Sequence, residues 1–316
     1  MDLSEAQPRV DKSALGPFRG CVINSAIREL IEDYSIEILP KEAEARIGIG
    51  PCRLRAGTRV YIAYASGCPE EIVEAARIVH EKGLLPVPHI PARRFESFSE
   101  LSGFIEALAR RASVRQVLLI GGDNKEPAGP FEATIDVLRT GLLQSNGIRT
   151  FGVAGHPEGH PVVDQEAMRR ALFEKQAYAT KWGMDLYMVT QFLFDTQKLF
   201  AWHVDFVERT LPGVAIDVGL PGLAKATTLL RFAKECGVKT SLGMLTKNAA
   251  RAFKLATNFS PEESLIDLAS GAWRAGKAPF RSVHFFPFGS FERTTAWLET
   301  LLSGRSPLDE PARFTG

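Results

Sequence analysis

The chain has 316 residues, with 38 Lys and Arg against 37 Asp and Glu, a formal net charge of +1. That balance argues against a dedicated nucleic-acid or membrane-surface partner. Apolar residues make up 45% and charged residues 24%, the composition of a soluble globular protein with a sizeable core.

The first residues, MDLSEAQPRVDKSALG, contain no hydrophobic stretch, so residues 1–20 read as a loose arm and not as a signal peptide. Beyond them, short apolar runs alternate with amphipathic stretches. Strands are predicted at Tyr34–Leu39, Arg59–Ala65, Pro86–Ile90 and Arg115–Gly122. Four more are predicted at Ile148–Gly155, Asp185–Gln191, Val214–Pro221 and Arg281–Pro287. Among the helices, Pro69–Gly83 opens on proline, carries acids in its first turn and ends on glycine. Asp195–Gly213 opens on an aspartate able to cap free amides, and Ser260–Lys277 opens on Ser-Pro-Glu-Glu. The segment Thr240–Phe259 is expected to add a helix on the rim before the eighth strand.

Eight β/α steps predict a single-domain α/β fold, a (β/α)8 TIM barrel over residues 21–304, with a tail at 305–316. No GxGxxG follows the first strand, which counts against a Rossmann domain. No apolar run approaches the roughly 20 residues that span a bilayer. The four cysteines, Cys21, Cys52, Cys68 and Cys236, form no CxxC pair. Neither a zinc ribbon nor a disulfide framework is indicated, and reduced thiols in a cytoplasmic protein are expected. Oligomeric state, including a homo-oligomer, stays open.

A barrel gathers its chemistry at the carboxyl ends of its strands. Those ends offer Glu37, Tyr64, His89, Asp123, His156 to His160, Gln191, Pro221–Gly222 and Phe286–Phe288. Glu37 stands between Ile36 and Ile38. Alternation alone leaves two readings for it, an inward acid or an outward salt bridge to a helix. The turn GVAGHPEGHPVV (Gly152–Val163) places two histidines around Glu158. It admits a metal site, a ligand cradle or a purely structural Pro-Gly turn. The metal reading is the weakest, because the first strand lacks a His-x-His pair to complete it.

The strand ends also resemble the methylenetetrahydrofolate reductase family. SIEILPK (Ser35–Lys41) is similar to that family's Ser-Phe-Glu-Phe-Phe-Pro-Pro-Lys motif. LLIGGDN (Leu118–Asn124) resembles its Arg-Gly-Asp turn, with Gly121 in place of arginine. AGHPEGHP (Ala154–Pro161), VTQFLFD (Val189–Asp195) and VPHI (Val87–Ile90) are similar to three further motifs, in the family's order. Beyond residue 195 the likeness thins to VGLPG and VHFF.

The resemblance implies a barrel binding FAD, with NADH or NADPH as reductant and a folate as substrate. The reaction would be ping-pong hydride transfer through FAD, converting 5,10-methylenetetrahydrofolate to 5-methyltetrahydrofolate. It assigns Glu37 as the acid that opens the folate ring, a task suited to a carboxyl whose pKa is raised by a partly apolar wall. Asp123 would sit by the flavin's pyrimidine edge and favour hydride donation to folate. Gln191 would meet the pterin, with Asp123 also on the substrate side. Tyr64, His89, Gly122, Asp123, His156, His160 and Lys175 would contact the flavin, His160 at its ribityl–pyrophosphate arm. Lys181 competes with Lys175 as the phosphate-binding lysine.

The chain departs from the family at Ala63, which replaces a threonine, and at Gly289 and Ser290, which stand where many members carry Asn-Arg. Arg93 and Arg94 could serve FAD phosphates, an acidic substrate tail or the solvated surface. Two alternatives follow: a folate-dependent methyl-transfer or demethylation enzyme on the same barrel, and a catalytically silent flavin- or folate-binding protein.

Overall fold

In a computed structural model, residues 17–50, 52–65, 68–160, 162–235, 259–275 and 279–304 are described. Eight parallel strands close into one barrel in sequence order, β1 pairing with both β2 and β8. They are β1 (Ser35–Ile38), β2 (Arg59–Ile62), β3 (Leu85–Pro91), β4 (Gln116–Ile120), β5 (Thr150–Gly155), β6 (Asp185–Thr190), β7 (Ala215–Pro221) and β8 (Ser282–Phe286). The expected (β/α)8 architecture is therefore present. Each predicted strand is found, several of them a residue or more shorter than the apolar run suggests.

The helices are α1 (Pro17–Glu32), α2 (Pro69–Glu81), α3 (Phe98–Arg111), α4 (Thr134–Arg139), α5 (Leu142–Ser145) and α6 (Gln165–Trp182). They continue with α7 (Thr196–Trp202), α8 (Glu208–Thr210), α9 (Ala226–Glu235), α10 (Glu262–Ala275) and α11 (Phe291–Leu302). Residues 17–20, assigned above to the arm, already belong to α1. The rim segment Thr240–Phe259, apart from Phe259, lies outside the described residues, as does the tail at 305–316.

Local chemistry sets the helix starts. Pro69 opens α2 with Glu70 and Glu71 in its first turn, where free amides favour negative charge. Asp164 accepts from Ala167 N at 2.7 Å to cap α6. Asp195 accepts from Gln197 N at 3.0 Å and Lys198 N at 3.3 Å to cap α7, as its place in the sequence suggests. Between α7 and α8 the chain widens into a π turn over His203–Val207.

Strand alternation sorts the side chains into two populations. Ile36 and Ile38, Val60 and Ile62, Ile216 and Val218, and Val283 and Phe285 join the main core between barrel and helices. Their neighbours face the barrel axis. There a small apolar group of Tyr61, Val87, Leu118, Tyr187 and Val189 fills the waist. Tyr61 donates to the Tyr187 hydroxyl at 2.9 Å, which satisfies a phenol in a fully buried layer. Gly152, paired with Tyr187 across β5 and β6, makes room for that ring: a Cβ there would meet Tyr187 Cζ at 2.5 Å.

The amino-terminal end of the barrel is closed by charge. Asp217 is fully buried and accepts from Arg59 at 2.7 Å, from Arg281 at 2.6 and 2.8 Å, and from Ser282 at 2.9 Å. Burial would raise its pKa, but the Arg281 hydrogen bonds and the two guanidinium charges outweigh that and hold the carboxylate below its ordinary value. Arg281 also lies over the Tyr187 ring, 4.7 Å from its centroid.

Candidate active site

Glu37 is the third residue of β1 and faces the barrel axis, where it lies 3.4 Å from His89 Nε2 and 4.0 Å from His284 Nε2. The inward reading of this glutamate is therefore the one the geometry supports. Its side chain retains 20% exposure, so a ligand at the mouth can reach it. Burial, reinforced by the nearby charge of Glu42, pushes its pKa up to about 8. At neutral pH the group is a carboxylic acid holding a proton.

The two imidazoles are shifted the other way. Burial lowers His89 to about 4 and His284 to about 3, so both are neutral near pH 7. His284 Nδ1 lies 2.9 Å from Ser35 Oγ, which fixes the ring and leaves Nε2 toward Glu37. The ring of Tyr61 packs against it edge-on at 4.4 Å. His89 Nε2 is buried without a hydrogen-bond partner. An unpaired buried ring nitrogen beside a protonated acid can accept from that acid or from an incoming donor.

Aromatic rings lead outward from this centre. Phe286 meets His284 edge-on at 4.6 Å. Phe288, Phe192 and Phe232 pack with Phe286 into a separate apolar group. Gln191 lies at the end of β6, where its side-chain oxygen accepts from Phe192 N at 3.0 Å and its own N–H donates to Gly155 O at 2.8 Å. The amide oxygen thus holds the strand end.

The GHPEGHP turn is built differently from the barrel mouth. His156 and His160 pack edge-to-face at 4.6 Å and line a cavity of about 510 Å³ together with Asp164, Lys198, Trp202 and Phe206. His160 Nδ1 accepts from Val162 N at 3.2 Å and Val163 N at 3.0 Å, so the neutral ring carries its proton on Nε2. Burial lowers both histidines, His156 to about 4 with help from the adjacent His160. Gly155 lets Trp202 approach this turn: a Cβ would meet Met188 Sδ at 2.8 Å and the indole at 3.0 Å. Among the described residues, no group of three or more His, Cys, Asp or Glu side chains is placed to hold a metal ion.

The remaining residues singled out in the sequence are engaged with other groups. Asp123 is 78% exposed and accepts from Arg94 at 2.7 and 3.1 Å, a hydrogen bond that holds its carboxyl below the usual range. Gly122 before it takes a left-handed φ of +95° that glycine adopts without strain. Tyr64 packs edge-on against Phe95 at 6.0 Å and Phe104 at 6.1 Å, and burial raises its hydroxyl to about 12. Lys175 is buried on α6 and donates to Ala171 O at 3.1 Å, and burial lowers it to about 8. Lys181 lies over the Trp182 ring at 5.3 Å. Arg93 donates to the carbonyls of Asn124, Lys125 and Glu132, tying down the loop after β4.

No protein-family model matches the chain. Among solved structures, it is similar to an uncharacterized protein from Clostridium thermocellum that binds two copies of 5-methyl-5,6,7,8-tetrahydrofolic acid. The identity is 12%, the match covers 89% of this chain and 99% of that one, and the TM-score is 0.53. It is also similar to dihydropteroate synthase from Thermus thermophilus, at 10% identity over 87% of this chain and 94% of that one, with a TM-score of 0.43. A 2,3-dimethylmalate lyase matches at 11% identity over 93% and 90% of the two chains, with a TM-score of 0.44. At such low identity, the first of these likenesses shows the fold alone.

Two members of the centre escaped the sequence reading. His284 sits in an apolar strand, and VHFF drew attention only as a weak likeness. Ser35 opened a motif without being given a role. A polar residue every second position of β1 and β8, at Ser35, Glu37, Ser282 and His284, is the signal that marks the inward faces.

Proposed function

We propose that this barrel is an enzyme acting on a reduced folate, and that its reaction is reduction of 5,10-methylenetetrahydrofolate to 5-methyltetrahydrofolate. The observation that carries the reading is Glu37, a protonated carboxyl at the mouth between two neutral imidazoles. The folate methylene bridges two nitrogens, and opening that ring to a reactive iminium needs a proton on the leaving nitrogen. A carboxylic acid with a pKa near 8 keeps its proton at neutral pH and can give it up there. His89 and His284, both neutral, leave that proton on Glu37. Five motifs in family order from Ser35 to Asp195 support the same reading. So does the folate bound by the Clostridium thermocellum barrel.

FAD, reduced by NADH or NADPH, is the proposed carrier of the hydride. The residues present fit it at His89, whose buried Nε2 lacks a partner, and at His156 and His160, which line a cavity of about 510 Å³. Those side chains would hold it. As placed, Tyr64 and Lys175 are engaged with protein groups, and Asp123 is held by Arg94. That placement favours a second reading, a folate-dependent methyl-transfer or demethylation enzyme on the same barrel.

One experiment separates the two. The purified protein is titrated with FAD, then supplied anaerobically with NADH or NADPH and methylenetetrahydrofolate, and the folates are resolved by chromatography. Bound FAD and formation of 5-methyltetrahydrofolate support the reduction. Methyl transfer from 5-methyltetrahydrofolate to an added thiol, in a parallel sample without flavin, supports the second reading. Absence of binding by either folate removes both.

A further inference from the structure

Phe288 is one of two non-glycine residues with a left-handed backbone among the described residues, at φ +49°. Such a conformation is unfavourable for a bulky side chain and persists only where its surroundings impose it. The turn around it is tightly tied. Pro287 O accepts from Ser290 N at 3.0 Å and from Ser290 Oγ at 2.8 Å, and Ser290 Oγ also contacts Leu223 O.

The ring explains why the turn is held there. Phe288 lies nearly parallel to Phe232, with centroids 4.5 Å apart and planes at 26°. It is also nearly parallel to Phe286, 5.9 Å away at 14°, and Phe192 closes one side edge-on at 4.9 Å. Phe288 is thus the middle layer of a three-ring stack. The inner layer, Phe286, touches His284, which faces Glu37. A flat ring sandwiched between two others, one step outward from a proton donor, occupies the position suited to a planar ligand.

We infer that Phe288 fills, from within the chain, the slot between Phe286 and Phe232 that a planar heteroaromatic ring takes when a ligand binds above Glu37. The folate reading supplies only the identity of that ring, as a pterin. Binding then requires the Phe288 side chain to leave. A ligand that must first displace a side chain binds more weakly by the fraction of molecules in which the slot is open. Removing the side chain should therefore tighten binding. A ring that merely supported the ligand would have the opposite effect.

The test uses Phe288→Gly, which keeps the left-handed turn available, and Phe288→Asn, whose small side chain tolerates the same backbone. Binding of 5-methyltetrahydrofolate is measured by calorimetry, and binding of the planar dye proflavine by fluorescence. Both variants should bind the folate about 3- to 10-fold more tightly than the unaltered chain, the range of one aromatic pair. They should also take up the dye where the unaltered chain does not. Weaker folate binding by folded variants overturns the inference while the folate reading stands. Dye uptake by the variants with no folate binding by any form upholds the slot and removes the folate reading. If neither probe binds better to a variant whose circular dichroism matches the unaltered chain, the slot does not exist. Should Phe288→Gly fail to fold, Phe288→Asn decides.

Discussion

Ser35 Oγ lies 2.9 Å from His284 Nδ1, joining the first residue of β1 to the middle of β8. That contact determines which imidazole nitrogen faces Glu37. It ties a histidine 249 positions from Ser35 in the chain into the acid's environment.

Replacing Glu37 by Gln is the direct test of the acid. The change is nearly isosteric, so folding and folate binding should persist, the latter within about threefold. General acids contribute about 10²–10⁴-fold, and turnover under saturating substrate should fall by that range. Unchanged turnover would move the proton donor elsewhere.

The same group sets a pH signature in stability. Glu37 has its pKa raised to about 8 by burial, so the folded chain binds a proton that the unfolded chain has released. Its contribution is full below the ordinary carboxylate pKa and is lost as pH rises toward 8. His89 and His284, lowered to about 4 and 3, act in the opposite sense: their contribution is present above the ordinary histidine pKa and is lost as pH falls through their folded values. Thermal melts should therefore show stability declining between about pH 6.5 and 8, where the histidines no longer titrate. In Glu37→Gln that decline should disappear while the acid-side loss remains.

Ser35→Ala removes the partner of His284 Nδ1. A buried hydrogen bond of this kind is worth about 0.5–1.5 kcal/mol net, so the fold should survive. Turnover should drop about 2- to 10-fold, corresponding to a similar loss at the transition state. The alkaline limb of the kcat profile should move as well. Ser35→Thr, which keeps the hydroxyl, should restore that limb, whereas a purely structural serine would leave it in place.

Gly152→Ala places a methyl group 2.5 Å from Tyr187 Cζ inside the barrel waist. Overpacking of this sort costs about 1–3 kcal/mol, and the Tyr61–Tyr187 hydrogen bond should be disturbed. Gly103→Ala on α3 is the control: a Cβ there meets nothing within 4 Å, and the helix should gain about 0.5–1 kcal/mol. Urea unfolding of both variants compares the two effects.

The barrel was legible in the sequence because each strand carries apolar side chains on its outer face. Ile36 and Ile38, or Val283 and Phe285, announce themselves by type alone. Glu37 and His89 were legible as polar residues out of place in such runs. The pairing of Glu37 with His284 was not, since closure of β1 onto β8 brings together positions that no local pattern connects. The Arg94 partner of Asp123 was equally hidden, because a half-buried charge and an exposed one on successive loops can meet or miss each other without altering either loop's pattern. Gln191 shows a third limit. An amide at a strand end looks the same whether it serves a ligand or holds Phe192 N, and here its oxygen holds the backbone.

The plug of Arg59, Asp217 and Arg281 has a kinetic consequence. Asp217 and Ser282 are fully buried and the hydrogen-bonded tyrosine pair fills the waist above them, so the floor beneath Glu37 is tightly packed. If Glu37 serves as the proposed proton donor, it would regain its proton from the side on which the ligand arrives. While that ligand stayed seated, Glu37 would have a single proton to give, and reprotonation would wait for release.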